Sequence, residues 1–182
     1  MGVMSVFLGK DTFNSYGHRL HSNPAFVAVE GYLLLGFLAH SSVAAYQTWK
    51  KRAFISRHPV ANGKLFVSSV VVTVFLCLHV LSFRFGPEVS PHTGRSYLVG
   101  GVRDIYQMAV DVFQSPAQVV FYTASAVAVG AHLFWGWNKT VNKMQTCSKE
   151  QKAAFVELGN ALIIPLCVGF AGVPIYMFFQ HH

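Results

Sequence analysis

The apolar positions of this chain fall into four long runs that are separated by polar segments. Each run is near the 20 residues that an α-helix needs to cross the hydrocarbon core of a membrane. The runs extend over about Phe26–Tyr46, Leu65–Phe85, Gln118–Trp137 and Phe155–Phe179. The pattern therefore predicts an all-α integral membrane protein, with an N-terminal segment over residues 1–24 and a transmembrane four-helix domain over residues 25–182.

A shorter amphipathic pattern lies between the second and third runs. From Val102 to Phe113, apolar residues recur at i, i+3, i+4, i+7, i+8 and i+11. Polar residues, among them Gln107 and Asp111, take the opposite face. This spacing predicts an interfacial amphipathic helix at the membrane surface. A helix that packs on soluble subunits is the alternative.

The composition supports a membrane protein, since 53% of residues are hydrophobic and only 12% are charged. In a soluble protein the net charge of +7 would suggest nucleic acid as a partner. Here, however, nine of the 14 Lys and Arg residues lie in the two short loops after the first and third runs. Such basic loops face the bacterial cytoplasm or the mitochondrial matrix, which we term the positive side. We therefore expect a lipid membrane and no nucleic acid as partner, with both termini on the opposite side.

Three histidines lie inside the apolar runs: His40, His79 and His132. Each is about 14 residues, or about 21 Å of helix, after the start of its run. The first and third helices run toward the positive side, and the second runs away from it. We therefore expect His40 and His132 at one depth near the positive side, and His79 in the other leaflet. An ionisable side chain at membrane depth is a functional-site hypothesis.

Two imidazoles at one depth suit the axial positions of a haem iron, so His40 and His132 are the predicted ligands, and iron held by haem is the only metal expected. Small residues lie one helical turn from both histidines and leave room for a macrocycle: Gly36 and Ala44 near His40, and Ala128 and Gly136 near His132. His79 is a weaker candidate for a second haem, because Phe75, Leu76 and Phe83 crowd its face. For each histidine the alternative is an imidazole bonded to a backbone carbonyl or a serine hydroxyl.

Other polar residues lie near the predicted haem. Lys139 and Lys143 are candidate partners of the haem propionates, with a solvated loop face as the alternative. Candidates for a quinone pocket lie at the positive-side end of the first helix: Ser41, Ser42, Tyr46 and Trp49. An interfacial aromatic belt is the alternative role of the last two. Glu30, near the other end of that helix, is either a proton-handling group or a carboxylate that reaches water.

Five short segments follow one another in an order that is more specific than any one of them. They are Phe13–His18 with His21–Pro24, Leu38–His40 with Tyr46–Arg52, Leu78-His79, Asp104–Tyr106 with Phe113–Pro116 and Val119–Tyr122, and His132–Gly136. In this order they resemble the cytochrome b membrane anchor of succinate dehydrogenase and fumarate reductase. The form in question is the single chain with five spanning helices and two haems.

The resemblance implies a non-catalytic subunit of respiratory complex II. It implies that His40 and His132 hold the haem b nearer the catalytic subunits. Flavoprotein and iron–sulfur subunits would dock on the positive side, carry the succinate active site, and pass electrons to a quinone near that face. The family's first helix, whose histidine pairs with the position of His79, has no counterpart here. We therefore expect either another small membrane subunit that supplies this helix or the loss of the second haem.

Two other functions remain open from the sequence. One is a haem b anchor of another quinone-linked dehydrogenase, and the other is a haem-free structural or assembly subunit of a respiratory complex. The separate first helix favours the mitochondrial inner membrane, with the bacterial inner membrane as the alternative.

Overall fold

The computed structural model describes residues 2–50 and 59–180, with the backbone alone for residue 3 and residues 59–62. Within these ranges the chain forms six α-helices, one short 3-10 helix and a two-stranded antiparallel ladder. In chain order the elements are the 3-10 helix Gly2–Leu8, α1 Lys10–His21, α2 Pro24–Lys50, α3 Pro59–Phe83, β1 Leu98–Val99, β2 Val102–Arg103, α4 Ile105–Phe113, α5 Pro116–Lys143 and α6 Lys149–Phe179. Most of the first basic loop, residues 51–58, lies outside the described residues.

Four of the described helices are long and apolar enough to cross a membrane: α2, α3 from Gly63 onward, α5 and α6. The predicted all-α membrane fold is thus confirmed. The helices extend past the apolar runs at their basic ends, to Lys50 in α2 and to Lys143 in α5. Hydropathy indicates which residues lie in lipid but not where a helix ends. It therefore does not predict the helical residues that continue into the membrane interface.

Helix α6 begins at Lys149, six residues before the fourth apolar run, because a capping box fixes its start. The Ser148 hydroxyl accepts a hydrogen bond from the Gln151 backbone N–H at 3.2 Å, and the Gln151 side chain accepts from the Ser148 backbone N–H at 2.9 Å. These two bonds satisfy backbone donors that an uncapped helix would leave unpaired. The helix then continues through Pro165 and Pro174.

Helices α5 and α6 form the most closely packed pair in the bundle, and α3 packs on the other side of α5. Two glycines allow the close approach of α5 and α6, since an added Cβ would overlap Cys167 at Gly130 and Trp137 at Gly159. Trp137 also donates its indole N–H to the Phe155 carbonyl of α6 at 2.8 Å. Small residues are typical of such contacts, because dispersion between closely spaced helices replaces the hydrophobic effect inside a membrane.

Helix α2 differs from the other spans. It has no buried residue, and within the described part of the chain it does not pack along α3, α5 or α6. Long side chains connect it to the bundle instead. Glu30 reaches Arg84, which follows α3, and His40 lies beside His132 of α5.

The helix predicted between the second and third spans is present as α4, and it begins at Ile105 because Asp104 is its N-cap. Its polar side is covered by the preceding loop rather than open to lipid headgroups. Asp111 is buried there and accepts a hydrogen bond from the Tyr97 hydroxyl at 2.7 Å. The amphipathic pattern therefore reflects two packing partners: the hydrophobic core for the apolar face and the preceding loop for the polar face.

The N-terminal segment packs on this same region. Val6 of the 3-10 helix is fully buried, and the Phe7 ring lies 5.0 Å from the Tyr176 ring of α6. From α1, Lys10 forms an ion pair with Asp104 at 2.6 Å, and the Asn14 amide donates to the same carboxylate at 2.8 Å. The segment thus stabilises the end of the bundle away from the described basic ends of α2, α5 and α6.

Candidate functional site

The imidazole rings of His40 and His132 lie next to each other between α2 and α5. Their centroids are 6.3 Å apart, and the ring planes are nearly perpendicular, at 88°. The expectation that these two side chains share a depth is therefore confirmed. Whether they bind iron stays a prediction.

A third helix contributes to the site through Ser68. The Ser68 hydroxyl oxygen of α3 lies 3.2 Å from Nδ1 of His132, and Ser68 is buried. The contact engages Nδ1, so Nε2 is the nitrogen that is left to bind a metal. A serine hydroxyl was among the alternatives for an intramembrane histidine, and at His132 it is compatible with ligation through the other nitrogen.

Sequence reasoning did not find Ser68, although a signal exists. Lys64, Ser68, Phe75 and His79 recur at i, i+4, i+11 and i+15, which places them on one face of α3. That face lies against α5, because Phe75 and His79 both contact Tyr122. Helix α3 starts at the basic end, so Ser68 lies at the depth of the histidine pair.

The geometry of the pair fits a haem with two histidine ligands. An imidazole binds a metal at about 2 Å, so two imidazoles on opposite sides of one ion place their centroids about 6 Å apart. Perpendicular planes suit two rings that share such an axis. Gly36 lies one turn from His40, and Gly136 lies one turn from His132. Both have open space around them, since an added Cβ would meet no atom within 4 Å. The residues present therefore fit a bis-histidine haem.

Cationic side chains lie at the basic end of the same site. Lys139 and Lys143 follow His132 on one stripe of α5, about 10 and 16 Å farther along the helix, and both are exposed. Lys64 of α3, which the sequence did not single out, places its ammonium 5.8 Å from the centre of the Trp135 ring. These lysines are suitably placed to pair with carboxylates that extend toward the membrane surface.

The structure does not bring most of the quinone candidates to the histidine pair. At about 100° per residue, none of the four lies on the face of α2 that carries His40: Ser41 is about 100° away, Tyr46 about 120°, Ser42 about 160° and Trp49 about 180°. The Tyr46 and Trp49 rings are 6.5 Å apart, and the Lys50 ammonium lies 5.1 Å from the Tyr46 ring. This grouping is typical of an interfacial belt. A quinone pocket at these residues stays a prediction, and another chain would have to complete it.

His79 lies in a different environment, among aromatic rings. The centroids of Phe75, Phe83 and Tyr122 are 5.6, 5.1 and 6.0 Å from its own. Further rings, Phe113 and Phe121, pack against Tyr122. A flat macrocycle on this side of His79 would have to displace the cluster, so a second haem at His79 stays a prediction that these contacts do not favour.

Comparison with protein-family models, curated proteins and solved structures finds no match. The resemblance to the complex II anchor thus stays a prediction.

Proposed function

We propose that this chain is a membrane anchor of a succinate:quinone oxidoreductase and that it binds one haem b between His40 and His132. The observation that supports this most directly is the pair of adjacent imidazoles with centroids 6.3 Å apart. Two histidines from different transmembrane helices rarely meet at membrane depth without a function, because each is costly to hold in lipid.

Several residues of the chain would each contribute to haem binding in a different way. A haem b held there exchanges single electrons, and ligation on both sides leaves no iron position open to oxygen. His40 and His132 would hold the haem iron, Gly36 and Gly136 would leave room for the macrocycle, and Lys139 with Lys143 would pair with its propionates. The apolar spans around the site exclude water.

The partners follow from the resemblance and from the exposed surface. Flavoprotein and iron–sulfur subunits would dock on the positive side, where Lys50, Lys143 and Lys149 are exposed. Their clusters would deliver electrons from succinate to a quinone near this face. The side of α2 that no described residue covers supports a further membrane subunit packed beside it. The proposed location is the mitochondrial inner membrane.

The test is to purify the intact complex through a tag on this chain and to measure its haem, flavin and subunits. The proposal expects one haem b per chain and a co-purifying flavoprotein that oxidises succinate. His40→Ala and His132→Ala should each remove the b-type spectrum. His79→Phe, which preserves the aromatic packing, should leave it intact.

Other outcomes would reject the proposal in distinct ways. A normal b-type spectrum in both alanine variants would overturn the ligand assignment. A fully assembled complex without a Soret band would indicate a haem-free structural subunit. A haem-containing complex with a different dehydrogenase would keep the haem site and replace the succinate assignment.

A further inference from the structure

We infer that Ser68 is a positioning residue for His132. Its hydroxyl oxygen accepts the Nδ1–H of His132, which fixes the imidazole tautomer and presents the Nε2 lone pair toward His40. This inference rests on the proposed haem site. It adds a third helix, α3, to a site that the histidines alone would place between α2 and α5.

The direction of the hydrogen bond follows from counting hydrogens. A serine hydroxyl has one hydrogen to donate and two lone pairs that accept. The Ser68 hydroxyl lies 3.1 Å from the Leu65 carbonyl of its own helix, and this carbonyl can only accept. The single hydrogen is therefore used within α3, as is common for serine in membrane helices. With its hydrogen directed at Leu65, the oxygen offers His132 only lone pairs, at 3.2 Å, and Nδ1 then carries the proton.

Burial makes this arrangement specific. Ser68 is 6% exposed, and the contact lies within a membrane span. A buried donor or acceptor without a partner is costly at such a position. The opposite tautomer would place two lone pairs against each other at Ser68 unless the hydroxyl left Leu65. The preference for Nδ1–H is thus built into the packing of α3 on α5.

The consequence for a bound iron is general to histidine ligands. A hydrogen bond at the second nitrogen fixes the ring orientation and makes the ligating nitrogen more basic. A more basic ligand favours the ferric state. Loss of the bond should therefore weaken haem binding and raise the midpoint potential.

The neighbouring Ser69 offers a matched control. Its hydroxyl donates to the same Leu65 carbonyl at 2.6 Å. One residue along a helix turns the side chain by about 100°, and among the described residues the Ser69 hydroxyl bonds to Leu65 alone. Ser69→Ala thus repeats the loss of a hydroxyl and of the bond to Leu65 without the loss of a partner for His132.

The experiment titrates haem b into the full-length protein in detergent and records the midpoint potential of the bound haem. Ser68→Ala is expected to weaken haem affinity about 10- to 100-fold and to shift the potential upward. Ser69→Ala is expected to match the wild type in both. In the haem-free protein, ¹⁵N NMR of His132 should report the Nδ1–H tautomer in the wild type and a loss of that preference in Ser68→Ala.

The outcomes separate this inference from the proposed function. If His132→Ala loses the haem while Ser68→Ala keeps wild-type affinity, potential and tautomer, the role of Ser68 is overturned and the haem site stands. An Nε2–H tautomer in the wild-type protein would also overturn it. If His132→Ala retains the haem, both the ligand assignment and the inference fail.

Discussion

Glu30 and Arg84 form a two-point ion pair between α2 and the end of α3. The guanidinium places Nε 3.0 Å from one carboxylate oxygen and Nη2 3.3 Å from the other. This parallel geometry is the strongest that arginine forms with a carboxylate. His40 and His132 meet about ten residues farther along α2, so within the described residues the two contacts connect α2 to the rest of the bundle. The ion pair therefore gives the Glu30 carboxylate a structural role.

Removal of the Glu30–Arg84 pair should loosen the attachment of α2. Both side chains are partly exposed, at 34% and 44%, so we expect a coupling of only about 0.5–1 kcal/mol. A double-mutant cycle of Glu30→Gln and Arg84→Gln, followed by unfolding in detergent, measures it. The exchanged pair Glu30→Arg with Arg84→Glu should recover part of the loss. Strictly additive single effects would show that the pair contributes nothing.

The sequence predicts how deep a residue of this chain lies in the membrane better than it predicts which residues of other helices it contacts. Hydropathy and basic loops place His40 with His132 and separate His79, and the ring contacts agree. Neither Ser68 nor the Glu30–Arg84 pair is predicted, because a periodic pattern does not specify the rotation of one helix against the next. The same limit applies to α4, whose polar face reads as solvent-exposed in the pattern but packs on Tyr97.

Gly136→Leu should block haem binding without harm to the protein itself. A Cβ added at Gly136 meets no atom within 4 Å among the described residues, and a leucine there would occupy the face on which His132 lies. Gly31→Leu is the matched control, because Gly31 is equally unobstructed and lies on the side of α2 opposite His40. Both changes should leave unfolding stability equal or higher, by up to about 1 kcal/mol from helix propensity. Haem titration should show binding lost in the first variant only. Equal haem binding in both would place the macrocycle elsewhere.

Gly159→Ala should destabilise the contact between α5 and α6. An added Cβ would overlap the Trp137 indole, which is held in place by its bond to the Phe155 carbonyl. Overpacking of this kind costs about 1–3 kcal/mol. Thermal unfolding in detergent measures the effect against Gly31→Ala, which changes the same atoms where space is open. Equal stability of the two variants would contradict the packing described for Trp137.

The contact of α1 with α4 should weaken in acid. Burial alone would raise the pKa of the Asp104 carboxyl. The hydrogen bonds from Lys10, the Gln107 backbone N–H and Asn14, with the Lys10 charge, outweigh burial and hold this pKa below its ordinary value. A depressed folded pKa means that the stabilisation is present above the unfolded value of about 4 and is lost as pH falls through the folded value.

Wild-type unfolding temperature should therefore fall below about pH 4. Asp104→Asn should be less stable at neutral pH and show a smaller fall, because the titrating group is gone. Asp11→Asn, at an exposed carboxylate of α1, serves as the control and should keep the wild-type profile. An acid transition that survives unchanged in Asp104→Asn would assign it to another group.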